Sequence, residues 1–400
     1  MTKVALNGVR VLDLSHYVAG PYCTKLLAAF GAEVIKIEKP GQGDSARKAG
    51  PFLNSIPHPE KSALFLYLNT GKKSITLNLK TQTGISIFMD LIKEADILVE
   101  NFEPRVMPEL GLDYRSLQQI NPKLVMTSIS NFGSSGPYRD YKGSSLVSYA
   151  LGGYLYINGD PEREPLKGPG MQPAYQGGLH AFVGSMAALR ARQRTGKGQY
   201  VEVSIMECMT SLHQFTISRY SYAGRIQKRV GNRYMWAHPI TIYPCLDGYV
   251  AVTASREDLL ERLLLLMGME HLREDPRFKT GPDCLANADA FDELVVPWFK
   301  ARSKKEIVQT CQEWRVPCAY VPSMEELLQD PHYQARGFWV EIDHPEAGKL
   351  PYAGGPFRMS ETPWTAQRAP LLGEHNEEVY CQRLGYDKKD LVALRRGGII

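Results

Sequence analysis

Short apolar runs alternate with stretches of helical periodicity through the first 130 residues, and this alternation constrains the fold more than any other feature. Residues 9–14 suit a buried strand, 21–30 a helix and 33–38 the next strand. The pattern repeats as strand 74–79, helix 83–94, strand 96–99 and strand 124–130. Strand–helix–strand units of this kind build a parallel sheet with helices on its faces, so the expected class is α/β. In such sheets ligands sit in loops at the carboxyl ends of the strands. The loop Ser15-His16-Tyr17-Val18-Ala19-Gly20-Pro21 between the first strand and helix is therefore a candidate. Neither GxGxxG nor GxxxxGK[ST] occurs, so neither a dinucleotide site nor a P-loop is indicated.

A second informative stretch runs over 168–212. Leu179, Phe182, Val183, Met186 and Leu189 recur at helical spacing, which predicts an apolar stripe. Gly177, Gly178, Ala181, Gly184, Ala187 and Ala188 keep another face thin, open to a close-lying backbone or a ligand. Arg190, Arg192 and Arg194 suit a helix C-terminus. The turn Thr195-Gly196-Lys197-Gly198 ends the helix, and 199–204 alternates as a half-buried strand.

Four hundred residues predict about two domains. The charge of +4, from 47 basic and 43 acidic side chains, is too balanced for a nucleic-acid binder. No apolar run approaches a membrane span, no signal-peptide pattern opens the chain, and cytosol is the expected compartment. The seven cysteines are scattered without a CxxC pair, which argues for reduced core thiols and against a disulfide framework or metal site. Composition shifts near residue 224; strand 247–255, helices 257–267 and 303–314 and strand 316–320 then predict a smaller α+β domain. Ser323-Met324-Glu325-Glu326 has the capping-box pattern of a helix start.

Several segments together resemble the family III CoA-transferases, whose members move CoA between formate and oxalate or between carnitine and crotonobetaine. They are IKIEKPGQGD (35–44), YLNTGKKSITLNL (67–79), ADILVENFEP (95–104), SISNFGSSGPYRDYKG (128–143), the stretch 168–212, DPHYQARGFWVEIDHP (330–345) and the tail 369–386. The resemblance implies a large Rossmann-like domain built from both chain ends, here 1–223 and 329–400, with a smaller α+β domain at 224–328. It also implies a return strand into the large domain within 330–345 and an interlocked-ring dimer. Its substrates would be a CoA thioester and a carboxylic acid, with no cofactor bound permanently and no metal. By similarity the CoA site would draw on Tyr17, Val18 and Ala19, on Lys39, on Asn69, Lys72 and Lys73, on Asn101 and Phe102, and on Lys142. The lysines would meet phosphate groups, which favour such cations and free backbone N–H groups.

The departures matter as much. In the family an aspartate three positions before the Gly-Gly attacks the acyl-CoA and carries the acyl group as an anhydride; here that position is Ala174. Ser144-Ser145 stand where formyl-transferring members carry a glutamate, and the related acyl-CoA racemases use a histidine and an aspartate where this chain has these serines and Ala174. No residue is therefore assigned as catalytic; His180, Glu202, Glu207 and Cys208 are read as structural. The family includes heteromers in which one subunit carries the aspartate and a related subunit lacks it. One example, from anaerobic toluene degradation, moves CoA from succinyl-CoA to (R)-benzylsuccinate. The expected role is the aspartate-lacking subunit of such an enzyme, in a heterodimer or heterotetramer, with neither nucleic acid nor membrane as partner. A homomer with an engineered or misplaced nucleophile, and a pseudoenzyme binding CoA thioesters, are the alternatives.

Overall fold

In the computed structural model, which describes residues 4–400 apart from the Gln214 side chain, six parallel strands form one sheet. They are β1 (Arg10–Asp13), β2 (Glu33–Glu38), β3 (Lys73–Thr76), β4 (Ile97–Glu100), β5 (Val125–Ser130) and β6 (Tyr200–Ser204), in the order β3-β2-β1-β4-β5-β6. Neighbouring strand residues alternate between two cores. Leu12, Ile35, Leu98 and Met126 face one layer, and Val11, Val34, Ile97 and Val125 the other. Both faces are covered, which is why the strands read as near-continuous apolar runs. The chain lays β2 and β3 on one side of β1, then returns to place β4 on the other. In an open α/β sheet ligands favour such a switch point, here at the carboxyl ends of β1 and β4.

The C-terminal tail closes the exposed edge at β3. Tyr380 donates its hydroxyl to the Thr76 carbonyl at 2.6 Å, and Asn376 exchanges hydrogen bonds of 2.9 Å with the Thr76 amide and hydroxyl. An edge strand so occupied offers little to a stray partner. The return into the first unit is made by the strand Trp339–His344, which pairs with Gly348–Ala353 as an antiparallel hairpin. It packs Ile342 and Tyr352 on Phe65 and Leu66 instead of joining the large sheet, whose edge the tail already occupies.

The chain divides into two compact units, one of residues 1–154, 168–217 and 334–400, the other of 155–167 and 218–333. The segment 155–167 thus departs from the boundaries expected from sequence. It is strapped to the second unit by Gly231, whose N–H meets the Gly159 carbonyl at 3.0 Å, and by Arg229, which reaches the Asp160 carbonyl at 3.1 Å. Within that unit, strands Ile240–Cys245, Gly248–Thr253 and Cys318–Tyr320 form an antiparallel sheet. Helices Glu257–Met267, Ala288–Lys300 and Lys304–Glu313 supply its core with Leu263, Phe291, Phe299 and Ile307. The capping box at Ser323 forms in both directions. Among the described residues no helix is long and apolar enough to cross a membrane.

The stretch expected to be one helix is one, Gln172–Thr195, closed by Gly196 at φ 73° with its N–H on the Arg192 carbonyl at 2.8 Å. Its thin face admits a close-lying backbone, as the small residues there imply. The small face, with Gly177, Gly178, Ala181, Ser185 and Ala188, is buried, while Leu179 and Val183 are 42% and 58% exposed. A Cβ on Gly178 would lie 2.4 Å from the Ala19 carbonyl oxygen, and one on Gly177 would lie 2.7 Å from Ile205 Cγ1. The thin face therefore meets the backbone of the helix Ala19–Ala29, while Leu189 is buried and Phe182 and Met186 pack against the same core.

Helix propensity alone favours alanine over glycine by about 1 kcal/mol, whereas overpacking costs about 1–3 kcal/mol. The obstruction at Gly178 is a backbone oxygen, which cannot swing aside, so the second effect should win. Gly178→Ala is expected to lower the urea midpoint with a net loss of about 1–2 kcal/mol. A variant as stable as the wild type would contradict the close packing described.

Candidate functional site

The loop after β1 rests on a buried carboxylate. Asp13 ends β1 without solvent exposure and accepts hydrogen bonds from the Ser15 amide at 2.9 Å, the Thr24 hydroxyl at 2.6 Å and the Lys72 ammonium at 2.9 Å. Lys36 lies 3.9 Å from it, donates to the Ser15 carbonyl at 2.8 Å and pairs with Asp44 at 2.8 Å. Burial alone would raise the Asp13 carboxyl, but Lys36, Lys72 and the two hydroxyls outweigh it and hold the group well below the ordinary carboxylate range.

This frame absorbs several residues expected at the CoA site. Lys72 is enclosed and also bonds the Pro21 carbonyl at 3.0 Å and Asn69 Oδ1 at 2.8 Å. Its three acceptors leave it no part in phosphate contact, a correction to the sequence expectation. Asn69 is buried with it and donates to the Phe65 carbonyl at 3.0 Å. Val18 and Ala19 are buried at the start of the helix Ala19–Ala29. Lys73 turns toward the amino end of β2, pairing with Glu33 at 2.7 Å and with Glu378 of the tail at 2.6 Å.

Other expected residues do converge. The His16 amide donates to Asn101 Oδ1 at 2.7 Å, and Asn101 Nδ2 returns a bond to the His16 carbonyl at 2.8 Å. That exchange clips the loop after β1 to the end of β4. Tyr17 then sits at φ 70°, its amide held by Asp44 Oδ1 at 2.9 Å and its side chain 44% exposed. A tyrosine in the left-handed region is uncommon and persists only where its surroundings enforce it. Phe102 lies 5.6 Å from the His16 ring. Lys39 is exposed just beyond β2, and Lys142 is exposed and paired with Glu103.

Beside Phe102 a cavity of about 360 Å³ opens at the ends of β4, β5 and β6, lined by Glu100, Tyr114, Ser128, Arg139 and Tyr200 among others. Of its lining only Phe102 was expected; a glutamate within an apolar strand carries no local signal that its carboxyl faces a hollow. Glu100 accepts the Phe102 amide at 2.8 Å, and burial pushes its carboxyl up to about 7.

Ala174 lies in the first turn of the helix Gln172–Thr195, its methyl against the apolar core. The catalytic oxygen implied by the resemblance has no counterpart in this side chain. Ser144 caps the helix Ser145–Leu151, its Oγ accepting the Val147 amide at 3.4 Å. His180 bonds the Gln176 carbonyl of its own helix at 2.8 Å through Nδ1. Glu202 accepts the Ser134 amide, and Glu207 opens a helix capped by Ser204. Cys208 is buried, which pushes its thiol up to about 11 and leaves it a poor nucleophile.

The Glu100 carboxyl titrates above its unfolded value, so folding takes up a proton between pH 4.5 and about 7, and stability falls as pH rises through that window. Glu100→Gln keeps the acceptor for Phe102 and removes the titration. Its stability relative to wild type should therefore improve by about 3 kcal/mol from the acid to the alkaline side of the window, measured by urea unfolding. Parallel pH profiles for the two proteins would refute this reading of Glu100.

A model of CoA-transferase family III matches residues 6–376. The succinyl-CoA–D-citramalate CoA-transferase of Chloroflexus aurantiacus is 34% identical, over 99% of this chain and 98% of that protein. The formyl-CoA:oxalate CoA-transferase of Streptomyces coelicolor is also 34% identical, over the full length of both chains. The crystal structure of a CAIB/BAIF family protein from Brucella suis superposes with a TM-score of 0.86 at 30% identity, covering 95% of this chain and 100% of that one. Likeness over nearly the whole chain, in sequence and in fold, shows that this protein belongs to CoA-transferase family III.

Proposed function

We propose that this chain is the non-nucleophilic subunit of a heteromeric, cytoplasmic CoA-transferase, active only beside a related subunit that carries the aspartate. The observation that carries this reading is Ala174, set in the first turn of an otherwise well-formed helix. In the family's reaction a carboxylate oxygen bonds the thioester carbonyl carbon, the C–S bond breaks, and CoA leaves as its thiolate. An alanine methyl cannot begin that sequence. The chain's own contribution is then a CoA cleft where β1 and β4 diverge, with Tyr17, Asn101 and Phe102 at its floor and Lys39 and Lys142 as phosphate contacts. Leu179 and Val183, exposed on the helix that carries Ala174, offer an apolar face to the second subunit. The relatives named above act on an acyl-CoA and an organic acid. Succinyl-CoA as donor, and a substituted succinate such as (R)-benzylsuccinate as acceptor, fit the same scheme.

The purified chain, given succinyl-CoA and an acceptor acid, should form no new thioester above background. Adding the aspartate-bearing relative should establish transfer, with hydroxylamine trapping the acyl group on that partner only. Efficient transfer by the unmodified chain alone would overturn the proposal. Ala174→Asp should recover almost nothing, the outcome expected where Ser144, Ser145, Tyr175 and Gln176 have reshaped the pocket as well.

CoA binding is a separate matter, read by calorimetry. Lys39→Ala and Lys142→Ala should each weaken it by about 1–3 kcal/mol, the size of a charge-assisted phosphate contact. An unchanged affinity in both variants would remove these lysines from the cleft.

A further inference from the structure

Among the described residues of the first unit three lysines are buried, and two are fully paired. Lys36 has Asp44 and the Ser15 carbonyl; Lys72 has Asp13, Asn69 and the Pro21 carbonyl. Lys25, on the helix Ala19–Ala29, is 2% exposed, yet among the described residues no carboxylate or hydrogen-bond acceptor pairs with its ammonium. The charge lies 3.3 Å from the centre of the Tyr67 ring, a cation–π contact that only partly replaces lost water. Burial, then repulsion from Lys72, brings its pKa down to about 7.

A buried cation without an anion is costly, and an apolar side chain of similar size would remove that cost. What surrounds it suits an anion. Tyr22 lies one helical turn before Lys25 and meets Tyr175 edge to face at 5.0 Å. Tyr175 directly follows Ala174. The Tyr67 hydroxyl is pushed up to about 12 by burial and then by Tyr22 and Tyr175, and burial raises both of those, so all three phenols remain hydrogen-bond donors at neutral pH.

We propose that Lys25, with Tyr22, Tyr67 and Tyr175, forms a carboxylate-binding site next to Ala174, which holds a carboxylate of the organic-acid substrate. The assignment deepens the transferase reading and rests on it for the identity of the ligand. Tyr22, Tyr67 and Tyr175 are each only partly buried, so a carboxylate can approach from their side.

Calorimetry on the full chain, with succinate as one probe and CoA as another, tests the site. Succinate should bind the wild type, bind Lys25→Met at least tenfold more weakly, and regain part of that loss in Lys25→Arg. Lys25→Met should melt no lower than wild type, since it removes an unpaired buried charge. Equal succinate affinity in Lys25→Met, no succinate binding by the wild type, or a lowered melting temperature in Lys25→Met would each overturn the proposal. CoA affinity reports separately on the transferase reading: succinate binding that depends on Lys25, in a chain and complex blind to CoA, keeps the anion site and discards that reading.

Discussion

The carboxylate of Asp13 and the two ammonium groups around it hold together everything near the crevice. Lys36 extends the cluster to Asp44, which holds the Tyr17 amide. The Asp44 amide in turn donates to Glu38 Oε2 at 2.9 Å. Glu38 then accepts from Nε and Nη2 of Arg47, at 2.7 and 2.9 Å, while Arg47 stacks 3.6 Å from the Phe65 ring. Charges buried this deeply gain little net stability over an apolar core, but removing one partner leaves another charge stranded. What they provide is register: each ion can sit only where its counter-ion is, so the ends of β1 and β2 and the loops after them adopt one arrangement. Burial works against the Asp13, Asp44 and Glu38 carboxylates, and their cationic partners overcome it, holding all three low. Their contribution is complete above the ordinary carboxylate range and is lost on acidification.

That frame is independent of the chemistry usually performed above it. Asp13, Lys36, Lys72 and the Asn101 clip are satisfied without any side-chain oxygen at position 174. An alanine at position 174 therefore need not loosen the fold. The contrast between Lys72 and Lys25 separates the two purposes of a buried cation. The first is fully paired and structural; the second carries an uncompensated cost, which is the mark of a group kept for a ligand.

Much of this was readable in the linear chain because it is local. Strand–helix alternation specified the parallel sheet, Gly196 the end of the long helix, and Ser323 with Glu326 a helix start. The family was legible through the resemblance of several segments, which also implies that Ala174 stands where its members carry a carboxylate. The helix Ala288–Lys300 escaped notice because Pro297 lies within it, and proline is ordinarily a sign that a helix has ended.

Only the folded chain decided which of the charged and apolar residues are spent and which are available. Lysines 39, 72 and 73 look alike in sequence, yet one is exposed, one is enclosed by three acceptors and one is paired across to the tail. The long helix has two plausible buried faces. The backbone of Ala19 selects the glycine side because a carbonyl oxygen can come that close only where there is no Cβ. Glu100 and Lys25 acquire their chemistry from groups brought together by packing, and the tail reaches Thr76 across 304 residues. Periodicity records what a residue's immediate neighbours require; partners from distant parts of the chain are chosen when the layers close.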